Sequence, residues 1–181
     1  MEKVKTGGIE YLSAYMMIAI TGLIMLFSYS AREIRHYQSL ARDSIDSACL
    51  SAALINLDEY SKGRFIYISN CDKSFDVFLD TLKSNMNLND DFIPSKTCIY
   101  DRVVVHDYTV YNIAEGILTS CSFKNGNPVY KSENYDKDEA TPDGTPIVSS
   151  TIYADIGMNV KSLFGIERYV HVRTSVDVVN N

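Results

Sequence analysis

From Tyr11 to Ala31 the chain carries no charged side chain; the run "YLSAYMMIAITGLIMLFSYSA" lies between Glu10 and Arg32. Wound as a helix, a run of this length covers the roughly 30 Å of a bilayer's hydrocarbon core. Tyr11, Tyr15 and Tyr29 fall toward its ends, where a ring with a polar tip suits the lipid interface. A cleavable export signal has a shorter apolar core of about 7 to 15 residues and then a small-residue cleavage site. Cleavage near Ser28-Tyr29-Ser30 is the competing reading, but "SYSAREIRH" passes directly into a helical pattern, which favours retention.

That pattern is a stripe. Ile34, Tyr37, Ala41, Ile45, Ala48, Ala52 and Ile55 recur at steps of three and four, the spacing of one helix face. No Gly or Pro interrupts Leu23 to Lys62, and Gly63 supplies a stop. Span and stripe together predict one helix of about 50 residues, about 75 Å long. Its lower face is built from small residues, Ala41, Ser44, Ala48 and Ala52, which let another element approach the backbone closely. That face can pack on the chain's own C-terminal domain or on neighbouring stems.

After Gly63, "RFIYIS" predicts a short strand. "DKSFDVFLDTLKSNMNL" then predicts a second helix, with Phe75, Phe78, Leu79, Leu82 and Met86 inward and Asp72 or Ser74 as N-cap. Beyond Pro94 the period becomes two. Arg102 to Ile113 reads as a strand, and Asn125-Gly126 within "GILTSCSFKNGNPVYK" as a tight hairpin turn. Lys131 to Gly144 has no apolar pattern and reads as a mobile loop. Ile152, Ala154, Ile156, Met158 and Val160 alternate strictly, as do Val170, Val172, Thr174, Val176 and Val178, giving two half-buried strands. The fold class is α+β: a long N-terminal transmembrane-plus-amphipathic helix packed on a C-terminal antiparallel sheet of four to five strands. Residues 1–10 form a short leader or cytoplasmic tail, 11–31 the span, 32–62 the stem continuing it, and 63–181 the α+β domain.

Composition narrows the function. The 181 residues carry a net charge of −6, which gives no basic footprint for nucleic acid. Four cysteines, Cys49, Cys71, Cys98 and Cys121, stand too far apart for a CxxC zinc or redox motif. Cys71 and Cys98, both beside turn-forming residues, are the candidate disulfide; free buried thiols are the alternative.

A short polar leader, Gly8-Ile9-Glu10-Tyr11, an apolar span and the unbroken helix ending in "ARDSIDSACLSAALINLDEYSKG" resemble type IV pilin-like proteins. More specifically they are similar to the TadE-like minor pilins of tight-adherence systems, as is the tail "IYADIGMNVKSLFGIERYVHVRTSVDV". The resemblance covers about half of the chain and implies a pilin-like fold, an extracytoplasmic domain, and assembly with other pilin-like subunits and their machinery. It implies that Glu10, with Tyr11 beside it, fixes register by pairing with a neighbour's amino terminus, and that a leader peptidase cuts at Gly7 or Gly8. Here the sequence departs from the family. The residue before the expected cut is Lys5, and cleavage after Gly7 or Gly8 would leave Glu10 third or second instead of fifth. Arg32, Arg35 and Arg42 against Lys3 and Lys5 lean toward a cytoplasmic domain, whereas the spaced cysteines and the pilin layout favour an extracytoplasmic one.

No catalytic signature is present: no GxSxG, P-loop, HExxH or dinucleotide fingerprint. His36, His106 and His171 are isolated in sequence, the last two on strands, with Asp101 and Asp107 as available carboxylates. Asp136, Asp138, Glu139 and Asp143 crowd oxygen ligands, but an EF-hand-like reading puts Thr141 at the glycine position and Ile147 at the glutamate position. No cofactor, metal or small-molecule substrate is expected. The leading function is a structural minor pilin or pseudopilin anchored in the bilayer. The alternative is an anchored binding module for a protein or glycan that does not polymerise.

Overall fold

The computed structural model describes residues 6–53, 66–95, 99, 101–124, 127–161, 165 and 167–178. Helix α1 runs from Thr6 to Ala52, 47 residues in one piece and about 70 Å long. Its two halves live in different surroundings. From Ile9 to Tyr29 every large apolar side chain is exposed, Met17 by 71% and Tyr29 by 60%. From Ala41 onward the stripe is sealed: Ala41, Ile45, Ala48, Cys49 and Ala52 are fully buried. One 18-residue window of α1 has a mean hydropathy of 1.8 and none of it is buried, so α1 is long and apolar enough to cross a membrane.

Helix α1 ends short of the predicted stop at Gly63. Ala52 is its last residue, and Ile55, Lys62 and Gly63 lie outside the described residues. The terminus is closed by a side chain from afar: Ser74 Oγ donates to the Ala52 carbonyl at 2.7 Å and also bonds Tyr108 Oη at 2.6 Å. Such a partner relieves a helix-end carbonyl that burial would otherwise leave unpaired.

Helix α2, Cys71–Met86, carries Ser74. Its N-cap is Asn70, whose Oδ1 accepts from Lys73 N at 2.8 Å, in place of the predicted Asp72 or Ser74. It stops at Asn87 in the left-handed region (φ 51°), with the N–H groups of Asn87 and Leu88 turned back to the Ser84 and Lys83 carbonyls.

Five antiparallel strands follow: β1 (Val104–Ala114), β2 (Ile117–Lys124), β3 (Asn127–Asn134), β4 (Ser150–Lys161) and β5 (Glu167–Val178), in the spatial order β3-β2-β1-β4-β5. Glu115 and Gly116, both at positive φ (53° and 78°), make the β1–β2 turn, the backbone hand that two-residue hairpins require. Lys124 pairs with Asn127 at the other hairpin; the predicted turn residues Asn125 and Gly126 lie outside the described residues. The charged stretch is not all loop, since Lys131 to Asn134 belong to β3. No named strand forms at Ile66–Ser69. There the Asn112 side chain accepts from Ile68 N at 2.9 Å and donates to Ile68 O at 3.1 Å, an amide standing in for a strand partner.

One sheet face carries the core. Val110, Ile152, Ala154, Ile156, Met158, Val170 and Val172 are buried with the α1 stripe and with Phe78, Leu82 and Met86 of α2. Phe75 stacks on Phe123 at 4.2 Å, and Phe78 lies 4.8 Å from Tyr108. Burial raises the Tyr108 phenol, a shift the Ser74 bond partly opposes. A disulfide joins Cys71, the first residue of α2, to Cys121 of β2, with Cα atoms 6.6 Å apart. This corrects the expected Cys71–Cys98 pair. Cys121 stands opposite Val110 on the core face, where a strand residue can meet the helix above it; Cys98 lies outside the described residues. Cys49 is buried and unbridged, its thiol pushed up first by burial and then by Asp46.

Candidate functional site

On the other face of the sheet the alternating positions are polar, and three strands bring them together. His106 of β1 and Tyr169 and His171 of β5 meet across β4, where Gly157 opposes His171 in the register. The missing side chain is what permits this. A Cβ at 157 would stand 2.6 Å from Tyr169 Cζ and closer still to Tyr169 Oη and His106 Nε2. Over that gap His106 Nε2 and Tyr169 Oη share a hydrogen bond at 2.6 Å, and the His106 and His171 rings stack at 4.9 Å. A register shift between Val105 and Asp107 puts His106 at a β-bulge, which re-aims its side chain.

Asp155 organises the rest of the cluster. Only 6% exposed, it accepts from His171 Nδ1 at 3.3 Å and from Arg173 Nε at 3.0 Å. One carboxylate thereby holds an imidazole and a guanidinium side by side, and Asp155 raises the Arg173 pKa first by hydrogen bond and then by charge. Beside them, where β5 is the sheet edge and α1 passes, opens a cleft of about 370 Å³ lined by Gln38, Ser39, Arg42, His171, Val172 and Arg173. A smaller one of about 210 Å³ lies between α2 and the start of β1, lined by Phe75, Leu79, Phe92 and Arg102 to Val105.

The connection after β3 is tied down on this face. Tyr135 Oη donates to the Ile147 carbonyl at 2.7 Å, and Ser175 Oγ donates to Asp143 Oδ1 at 2.8 Å. Burial works against the Asp143 charge, but hydrogen bonds from Thr141, Ser175 and Thr145 outweigh it and lower its pKa. The carboxylate read as a cation ligand is thus engaged within the chain. Among the described residues no group of three His, Cys, Asp or Glu side chains is placed to hold a metal ion. Asp101 lies apart, its pKa lowered by the Arg102 N–H and then by Asn159.

The residues singled out on α1 do not join this cluster. Glu10 and Tyr11 lie in the exposed first turns, Tyr11 72% exposed, and Gly7 and Gly8 are already helical. Among the described residues Glu10 makes no ion pair. Ala41, Ser44, Ala48 and Ala52 are buried in the chain's own domain, so that face is used internally. His106 and His171, isolated in sequence, are paired in space; their alternation with buried neighbours was visible, but their meeting depends on the register of three strands and on Gly157. The chain matches no family model, no curated protein and no solved structure.

Proposed function

We propose that this chain is a membrane-anchored structural subunit, a minor pilin or pseudopilin contributing to a tight-adherence or type IV-like filament. The observation that carries the reading is the division of α1: one unbroken helix with its first half an exposed apolar cylinder and its second half built into a domain. A helix of that kind sits in a bilayer as an anchor and, once extracted, needs other apolar helices around it. In this reading Glu10 finds its cationic partner on a neighbour, where it sets register. The Cys71–Cys121 disulfide supports an extracytoplasmic domain, because such bonds persist in oxidising compartments. The role is structural, with no catalytic step and no cofactor.

A second reading has a specific observation behind it. Lys5 in place of the expected glycine and the polar cleft beside β5 favour an anchored binding module that does not polymerise. The deciding experiment is intact mass and N-terminal sequencing of the protein from its native membrane, with cysteine crosslinking from position 18 of the span. A start at Gly8 or Ile9 together with crosslinked ladders supports the filament subunit. An uncut chain that crosslinks to nothing refutes it and leaves the binding module.

A further inference from the structure

The cleft between α1 and β5 is lined by two guanidinium groups and, among the described residues, by no carboxylate. Arg173 and His171 share the single carboxylate of Asp155, which sits behind them and is nearly buried. Arg42 comes from the facing helix and makes no ion pair among the described residues. Asp43 and Asp46 follow Arg42 on α1 but, like Asp143, lie outside the cleft's lining; Asp46 accepts a hydrogen bond from Thr174, and Asp143 from Thr141 and Ser175. Gln38 and Ser39 add an amide and a hydroxyl at the same wall. Two guanidinium groups on one space, walled by an amide, a hydroxyl and an imidazole and by no carboxylate, offer hydrogen-bond donors that an anion from outside would complete.

We propose that this cleft binds a phosphate or carboxylate group of a small ligand, held between Arg42 and Arg173, with His171, Gln38 and Ser39 as further polar contacts. Asp155 serves as the positioning residue: by holding Arg173 Nε it leaves the two terminal nitrogens of that guanidinium for the ligand. The volume, about 370 Å³, suits a group the size of a sugar acid or sugar phosphate. Position along α1 favours a ligand from solution over a lipid headgroup. Arg42 lies eleven residues beyond Ala31, about 16 Å along the helix, whereas the headgroup layer is only about 5–8 Å thick. The cleft is formed within one chain and does not depend on filament assembly.

The test uses the full chain in phosphatidylcholine nanodiscs, titrated at constant ionic strength with inorganic phosphate and with glucuronate, glucose being the neutral control. The readout is the His171 imidazole signal. Saturable shifts with both anions and none with glucose are expected, weakened about tenfold or more in Arg42→Gln, the loss of one charge-assisted contact. Arg42 is exposed, so this variant keeps the fold and the Asp155 pairs. If phosphatidylglycerol discs alone give the same Arg42-dependent shift and block phosphate, the site stands and its anion is a lipid headgroup. Absence of any saturable shift with either probe or lipid, or an identical response in Arg42→Gln, overturns the proposal.

Discussion

Gly157→Ala separates the architecture of the sheet from the architecture of the cluster lying on it. The new methyl would occupy space now held by Tyr169 Oη and His106 Nε2, and would stand 2.6 Å from Tyr169 Cζ. Both obstructing groups are the ends of side chains on an exposed face, Tyr169 being 44% exposed, so they can swing aside. The cost is then the His106–Tyr169 hydrogen bond, about 0.5–1.5 kcal/mol net, plus ring interactions worth about 0.5–1 kcal/mol. Against this, alanine in a strand interior recovers about 0.5–1 kcal/mol relative to glycine. The balance is about 0–2 kcal/mol of destabilisation, or a fall in Tm of at most about 8 °C for a domain of this size. The assay is a thermal melt of the full chain in detergent, paired with nuclear Overhauser cross-peaks between the His106 and Tyr169 rings. The expected result is a Tm lowered by no more than about 8 °C and the disappearance of those cross-peaks. A fall of about 12 °C or more, or cross-peaks that persist, would refute the account of Gly157 as space kept open for two movable side chains.

Other substitutions probe the frame. Replacing Cys71 and Cys121 together by alanine removes a crosslink spanning 50 residues, and loop-closure entropy puts the loss near 4 kcal/mol, read from chemical denaturation with and without reductant. Ser74→Ala leaves the Ala52 carbonyl and the Tyr108 hydroxyl without their partner, for a loss of about 2–4 kcal/mol; a change under about 0.5 kcal/mol would show that the helix end is not held there. Ala48→Leu overpacks the α1–sheet interface and costs about 1–3 kcal/mol in the same measurement. Burial raises the phenols of Tyr108 and Tyr153, the latter to about 12. A raised folded-state pKa means that their contribution is complete below pH ~10, the unfolded phenol's value, and is lost as pH rises through about 12. Phenolate absorbance should therefore show exposed tyrosines ionising first and a second step coinciding with unfolding; one step with the fold intact would contradict this.

Periodicity made the scaffold readable because burial imposes it: the stripe from Ala41 to Ala52 and the alternation from Ile152 to Val160 are each one face of one element. What escaped were pairings between elements. Asn112 and Ser74 sit at buried positions as polar residues, and their partners, Ile68 and the end of α1, are 44 and 22 residues away. Cys121 looks like any inward strand residue until β2 is set beneath α2. Gly157 interrupts no pattern, since the outer face of β4 has no apolar rhythm to break. Hence the long apolar N-terminal helix and the antiparallel sheet could be read along the chain, whereas the His–Tyr cluster and the cleft emerge only when β1, β4, β5 and α1 are placed side by side.

The clasp at Ala52 also decides how the molecule carries load. A pull along the axis of α1 enters the domain over the buried stretch from Ala41 to Ala52 and at the Ser74 hydroxyl, so the force meets the helix–sheet packing in shear along its length. From α2 it passes into β2 through the covalent Cys71–Cys121 bridge, and from β2 into the hydrogen-bonded strands on either side. Because α1 also packs on β5 and β4, tension enters the sheet on that side as well as through β2, which makes the exposed helix a tow-bar and the domain a body that follows it whole.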